Sequence, residues 1–302
     1  MADSELSPEE CVAVACGGDN NVKMVRKFLS VWLVTVVGPA VGSAAEFRPD
    51  VEYASVDGES LQLDACIPDG EGPFPVAILV HGGGWGGGDK AREHVPPTEQ
   101  LTKAKFAWFS INYRLAPQHR WPACMEDVRT AIDWVKQHAA KFKCEPNRIA
   151  LVGYSAGGHL AAYAAATAND DARPQALVVL AGPTDLLADC ERRGGMSPSL
   201  QALFDRDLTL DDEARAMLRQ ASPLNQISGK MPPCLLIHGT RDASVPYSQS
   251  VHFQAQLKEL GTACELITIP AGEHRMRDWK SLQPGYEQNM VRWLSRVLGA
   301  QP

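Results

Sequence analysis

The 302-residue chain contains no C-x-x-C pair, no run of basic residues, no repeat with a period of tens of residues and no long low-complexity segment. Each absence removes a class. Without paired cysteines there is no ribbon or finger to hold zinc. Without a basic run, and with a formal net charge of -7, the chain is poorly suited to a polyanion such as nucleic acid. Without repeats it is not a solenoid or a propeller. The remaining composition, 45% hydrophobic and 22% charged, is that of a globular chain able to bury one large core.

Long apolar runs are also scarce. The conspicuous one lies in residues 24–45, MVRKFLSVWLVTVVGPAVGSAA. Arg26 and Lys27 precede an apolar stretch from Phe28 to Val37, Gly38-Pro39 interrupts it, and Ser43-Ala44-Ala45 supplies small residues. A membrane-spanning helix needs about 20 apolar residues, which this run does not reach. The layout is that of a secretory signal peptide, so a secreted or periplasmic protein is expected, with no stable membrane association after cleavage. Residues 1–23 are acidic and fit no signal peptide; they read as an upstream extension, with translation expected to begin at Met24. The domain proper is then 46–302. It holds Cys66, Cys124, Cys144, Cys190, Cys234 and Cys264. A dense disulfide framework is not expected. Cys124 and Cys144 bracket a helical pattern about 30 Å long, while Cys66 and Cys234 sit in apolar strand patterns as small hydrophobes.

Apolar runs at 51–56, 61–67, 75–81, 106–112, 148–154, 175–181, 233–238 and 264–269 read as strands. Four of them (75–81, 106–112, 148–154, 175–181) are apolar on both faces, as in a parallel sheet covered by helices on each side. The first two lie close together and read as an antiparallel start. Helical stripes occur at 122–142, 246–260 and 286–298. The fold class is therefore α/β, an eight-stranded, mostly parallel sheet flanked by helices. Residues 183–231 break the rhythm as a cap-like insertion over the C-terminal edge, with one or two short helices, notably at 211–219.

The strand run 148–154 ends in Gly153-Tyr154-Ser155-Ala156-Gly157-Gly158. Small residues on both sides of a serine permit a turn too tight for side chains, which presents the hydroxyl at the end of a strand and the start of a helix. This is the G-x-S-x-G nucleophile elbow. Such a fold orders its partners serine, acid, histidine, and only His274, in PAGEHRM after the last strand run, follows that order as a base. Asp242, in HGTRDASVP after the next-to-last strand, is the expected acid. Asp185, in GPTDL, competes for that role and reads instead as a capping residue. His81 and His238 are expected to fix loops through hydrogen bonds. The run His81-Gly82-Gly83-Gly84-Trp85-Gly86-Gly87-Gly88 carries more glycine than a turn needs. Glycine lets backbone N–H groups approach an oxygen closely, so Gly83 and Gly84, with Ala156, are the expected oxyanion donors. Trp85 is expected to line a substrate pocket. The chemistry is acyl transfer through an acyl-enzyme and requires no metal or organic cofactor.

HGGGW (81–85), NYRLAP (112–117), GYSAGG (153–158), ASPL (221–224), HGTRDASVPY (238–247) and GEH (272–274) together resemble an α/β-hydrolase of the HGGG type, in the carboxylesterase and hormone-sensitive-lipase group. The likeness is strongest to exported acetyl-xylan or feruloyl esterase-like proteins of the BD-FAE type, and it covers about 75–281. It implies a carboxylic-ester hydrolase acting on small acyl esters, with acetyl or feruloyl groups on plant carbohydrates as the implied substrates. Tyr113, Arg114 and Asp127 then read as a structural polar cluster. One departure is Arg275-Met276, where the family often has glycine and phenylalanine. The rivals are a serine peptidase or amidase, a longer-chain lipase and a non-enzymatic descendant. The charge density of 183–231 argues against an apolar lipase lid, and the intact serine, aspartate and histidine argue against lost activity.

Overall fold

The computed structural model describes residues 45–91 and 98–299. The upstream extension 1–23 and nearly all of the expected signal segment 24–45 lie outside the described residues. Among the described residues no helix is long and apolar enough to cross a membrane.

The eight strands are β1 (Glu46–Val56), β2 (Glu59–Ile67), β3 (Phe74–Val80), β4 (Ala107–Ile111), β5 (Cys144–Tyr154), β6 (Ala176–Leu180), β7 (Cys234–Gly239) and β8 (Cys264–Ile269). They form one sheet in the order β1-β2-β4-β3-β5-β6-β7-β8. β1–β2 and β2–β4 pair antiparallel, and every later pair is parallel. The helices are α1 (Thr98–Lys103), α2 (Ala123–His138), α3 (Ala156–Thr167), α4 (Leu186–Arg193), α5 (Pro198–Phe204), α6 (Asp212–Ala221), α7 (Ser248–Glu259), α8 (Trp279–Leu282) and α9 (Tyr286–Val297).

The period-two rule explains why the central strands carry no polar face. On β3, Val76, Ile78 and Val80 join one core with Val128 and Ile132 of α2 and Leu160 of α3. Ala77 and Leu79, pointing the other way, join a second core with Leu101 of α1 and Met290 and Leu294 of α9. A strand buried on both faces reads as a continuous apolar run, and β3, β6 and β7 are fully buried. The edge strand β1 is mostly exposed. All six described cysteines are buried thiols. Cys234 and Cys264 stand opposite each other on β7 and β8.

The insertion is more helical than its sequence pattern announces. It contains α4, α5 and α6 rather than one or two helices. Seven- and eight-residue helices are too short to display a full amphipathic stripe, and their stability comes from ends and packing. Asp185, Ser197 and Asp211 cap the three N-termini by accepting from the N–H groups of Ala188, Leu200 and Ala214. Leu186, Cys190, Leu200, Leu203 and Leu218 are buried beneath them. The outward charges pair locally, Arg192 and Arg193 with Asp189, and Arg206 with Asp211 and Glu213.

Candidate active site

β5 ends at Tyr154 and α3 begins at Ala156, so Ser155 alone makes the turn, with φ 53° and ψ -122°. That backbone is strained for a residue with a side chain. It persists because the surroundings are tight. A Cβ on Gly153 would lie 2.2 Å from the Gly157 carbonyl oxygen, and one on Gly157 would lie 2.1 Å from that of Val80. No other residue fits either position. The Ser155 N–H donates to the Leu180 carbonyl at 2.9 Å, tying the turn to β6.

Ser155 Oγ lies 2.8 Å from Nε2 of His274. Nδ1 of His274 lies 2.7 Å from Oδ2 of Asp242. The two loops that carry these partners leave adjacent strands, β7 and β8, and pack backbone on backbone. A Cβ on Gly239 would lie 2.2 Å from the Gly272 carbonyl oxygen, and Arg241 N–H donates to that carbonyl at 2.9 Å. Tyr154 steadies the histidine loop, its hydroxyl donating to the His274 carbonyl at 2.8 Å.

The carboxylate of Asp242 is fully buried. Burial alone would raise its pKa. Hydrogen bonds from His238, His274 and the Val245 backbone outweigh this and hold it at about 2. Oδ1 accepts from the N–H groups of Ser244 at 2.9 Å and Val245 at 2.8 Å. Oδ2 accepts from His274 and from Nε2 of His238, the latter at 3.2 Å. The carboxylate is thus ionised and acceptor-only. Nδ1 of His274 carries the proton, leaving Nε2 as the lone-pair nitrogen facing the serine hydroxyl. Asp185, the sequence-level competitor, caps α4.

His238 does more than fix a loop. Its Nε2 also lies 2.9 Å from the Val245 carbonyl, which can only accept, so Nε2 carries the proton. Nδ1 then accepts from the Ser250 hydroxyl at 2.7 Å. Its spacing of four residues from Asp242 within HGTRD is the sequence signal for this contact. His81 holds the glycine loop as expected: Nδ1 lies 2.7 Å from the Gly82 carbonyl, the ring stacks on Tyr113 at 4.2 Å, and the Tyr113 hydroxyl donates to the His81 carbonyl. Arg114 and Asp127 form a buried ion pair at 2.8 Å.

In the glycine loop, Gly83, Gly84 and Trp85 all have positive φ, at 121°, 58° and 59°. A Cβ on Gly83 would overlap the Gly87 carbonyl at 2.1 Å. The N–H groups of Gly83, Gly84 and Ala156 donate no hydrogen bond among the described residues. Trp85 does border a pocket, but as a buried wall only 5% exposed. Its indole N–H donates to Nδ1 of His159 at 3.2 Å. Nε2 of His159 in turn donates to the Ala221 carbonyl, at 2.9 Å, at the end of α6. Burial lowers the His159 pKa to about 4, so the ring is neutral and joins the glycine loop, the elbow helix and the insertion.

Two cavities meet at Ser155. One, of about 300 Å³, runs beneath the insertion between Trp85, Ala156, Leu186, Leu200 and Val245, with Ser197, Ser199, Asp189 and Arg193 interrupting the apolar lining. The other, of about 480 Å³, lies along the histidine loop. A serine hydroxyl hydrogen-bonded to an oriented imidazole can give up its proton as it attacks a carbonyl carbon.

The sheet, its flanking helices and this serine at the strand-to-helix turn define an α/β-hydrolase. The chain belongs to the BD-FAE family, whose model matches residues 63–257. The match includes Gly83, Gly84, Ser155, Ala156 and Asp242. The esterase LipC of Mycobacterium tuberculosis is 35% identical over 219 residues, 67% of this chain and 53% of that protein. A truncated carbohydrate esterase from gut microbiota superposes with a TM-score of 0.73 at 26% identity, over 87% of this chain and 99% of that one. An acetyl ester-xyloside bifunctional hydrolase from Caldicellulosiruptor lactoaceticus gives 0.70 at 25% identity, over 87% and 100%. The chain spans about half the length of the curated relatives it matches first, 50–53%.

Proposed function

We propose that the protein is a serine carboxylesterase. Ser155 Oγ attacks the ester carbonyl while His274, oriented by Asp242, takes its proton. The N–H groups of Gly83, Gly84 and Ala156 stabilise the oxyanion; one such donor is worth roughly 10²–10³ in rate. His274 then protonates the departing alcohol, and water repeats the sequence to free the acid. The observation that carries this reading is the chain of hydrogen bonds from Ser155 through His274 to a buried, ionised Asp242. The esterase names of the relatives and of the structural neighbours support it. An organophosphate is expected to label Ser155 stoichiometrically and abolish ester hydrolysis. A peptide map with the label on another serine overturns the assignment.

The proposal extends to small acyl groups, with acetyl or feruloyl esters of plant carbohydrates as the substrate class. Support comes from the smaller cavity, where serines and the paired Asp189 and Arg193 break any apolar groove, and from the carbohydrate-esterase neighbours. A true acyl groove would gain about 0.8 kcal/mol per buried CH₂, so kcat/KM would climb through octanoate. The expected maximum is acetate to butyrate; a maximum at octanoate or beyond selects the lipase reading instead. Secretion or a periplasmic location belongs to the same proposal, supported by the basic start and apolar run of residues 24–45. Translation from Met24 goes with it, and an intact peptide covering residues 1–23 in the native protein would overturn that start.

A further inference from the structure

We infer that the alcohol half of the preferred ester carries a negative charge, recognised by Arg275 and Arg277. The inference rests on the esterase reading above and adds a substrate class to it. The larger cavity is lined by Tyr154, Ser155, His274, Arg275, Met276 and Arg277, together with the glycine loop, and no carboxylate lines it. Both arginines are exposed. Neither makes an ion pair or a hydrogen bond through its side chain among the described residues, although Glu273 and Asp278 adjoin them in sequence. The other cavity holds an arginine too, but Arg193 is neutralised by Asp189 at 2.8 Å. The contrast within one site is therefore between a cation already satisfied and two that are not. In a chain with net charge -7, two cations with no partner among the described residues, beside a reaction site, give local attraction where the overall field repels anions.

The direction of proton transfer decides which half of the ester they meet. His274 must hand its proton to the departing alcohol, so that oxygen lies near Nε2. The cavity bounded by the histidine's own loop receives the alcohol. Trp85 and Ala156 line the other cavity, which is left for the acyl group. A carboxylate, sulfate or phosphate on the alcohol would meet guanidinium groups whose planar donors match its oxygens in pairs.

The test uses the full chain and acetate esters that share one acyl group. The anionic ester is 4-acetoxybenzoate, the neutral one 4-acetoxybenzamide and the cationic one 4-acetoxyphenyltrimethylammonium. The readout is the ratio of kcat/KM between esters within one enzyme, which cancels any general loss in a variant. Exposed charge pairs are weak, so Arg275→Gln/Arg277→Gln is expected to lower the anionic-to-neutral ratio by about 3- to 10-fold. Added salt lowers it in the native enzyme. Arg275→Glu/Arg277→Glu raises the cationic ester above the anionic one. Hydrolysis of both esters with a ratio unchanged by either double substitution overturns this inference alone. Hydrolysis of neither by the native protein overturns the esterase reading and this inference with it.

Discussion

The strand ends around Ser155 and the insertion at 183–231 border the same cavity but hold their shapes by different means. At the strand ends the chain is fixed by backbone against backbone: Gly157 on Val80, Gly239 on Gly272, the Ser155 N–H on Leu180. These contacts admit no side chain and leave little room to move. The insertion is fixed by side chains: aspartate and serine caps, ion pairs, a few buried leucines and the His159 bridge to Ala221. Caps and exposed ion pairs are worth about 1 kcal/mol or less each. The groups proposed to react sit on the part locked backbone to backbone. About half of the smaller cavity's wall sits on the part that a few substitutions can reshape. Damage to the strand ends should therefore appear in kcat, and damage to the insertion in stability and selectivity.

The largest effect should come from the elbow. Ser155→Ala is expected to lose about 10⁴-fold or more in kcat while thermal unfolding stays where it was. A variant retaining a tenth of the activity would break the comparison at its centre. Next, Asp242→Asn should cost about 10³-fold or more in kcat, because the amide favours the wrong histidine tautomer. Asp185→Asn, at a cap of the insertion, should change kcat far less. The reverse ranking would move the acid to Asp185.

Between the two regions stands His159. Its pKa is lowered by burial from 6.5 to about 4. As pH falls through that window the unfolded chain takes up a proton that the folded one refuses. Stability is therefore complete above about pH 7 and declines toward pH 4, by about 3 kcal/mol. Urea unfolding at both pH values should show that decline, and His159→Gln should flatten it. The Asp242 carboxylate acts in a lower window. Its pKa is held at about 2 against 3.8, so its contribution is complete above about pH 4 and is lost only toward pH 2.

A smaller effect belongs to His238, which is fully buried against Asp242 and, in the proposed mechanism, is a positioning residue. His238→Ala should lower kcat by about 10- to 100-fold with KM little changed. It should also move the acid limb of the kcat profile, whereas a merely structural role would leave that limb in place. Smallest of all, Asp211→Ala removes one cap of α6 and should cost about 1 kcal/mol in unfolding with kcat intact.

The sequence by itself determined the strands, the elbow, the order serine, aspartate, histidine and the glycine loop. These are legible because their causes are local. A doubly buried strand must be a continuous apolar run, and a turn with no room for Cβ must be built from glycine. Tertiary structure alone decided the rest. Helices α4 and α5 are too short to announce themselves, and their leucines become core only once the sheet lies beneath them. The link from Trp85 to Ala221 through His159 crosses segments far apart in the chain. The Ser250 hydroxyl that fixes the His238 ring comes from α7, which only the fold sets beside β7. Arg275 read as a mere departure from a family pattern, and Arg277 carried no signal, until the fold laid both along the cavity beside His274. A close backbone approach leaves its mark locally, as a glycine, even where the chain it meets is distant in sequence. Side-chain partnerships depend on which strand ends lie side by side, and that is settled only when the sheet has formed.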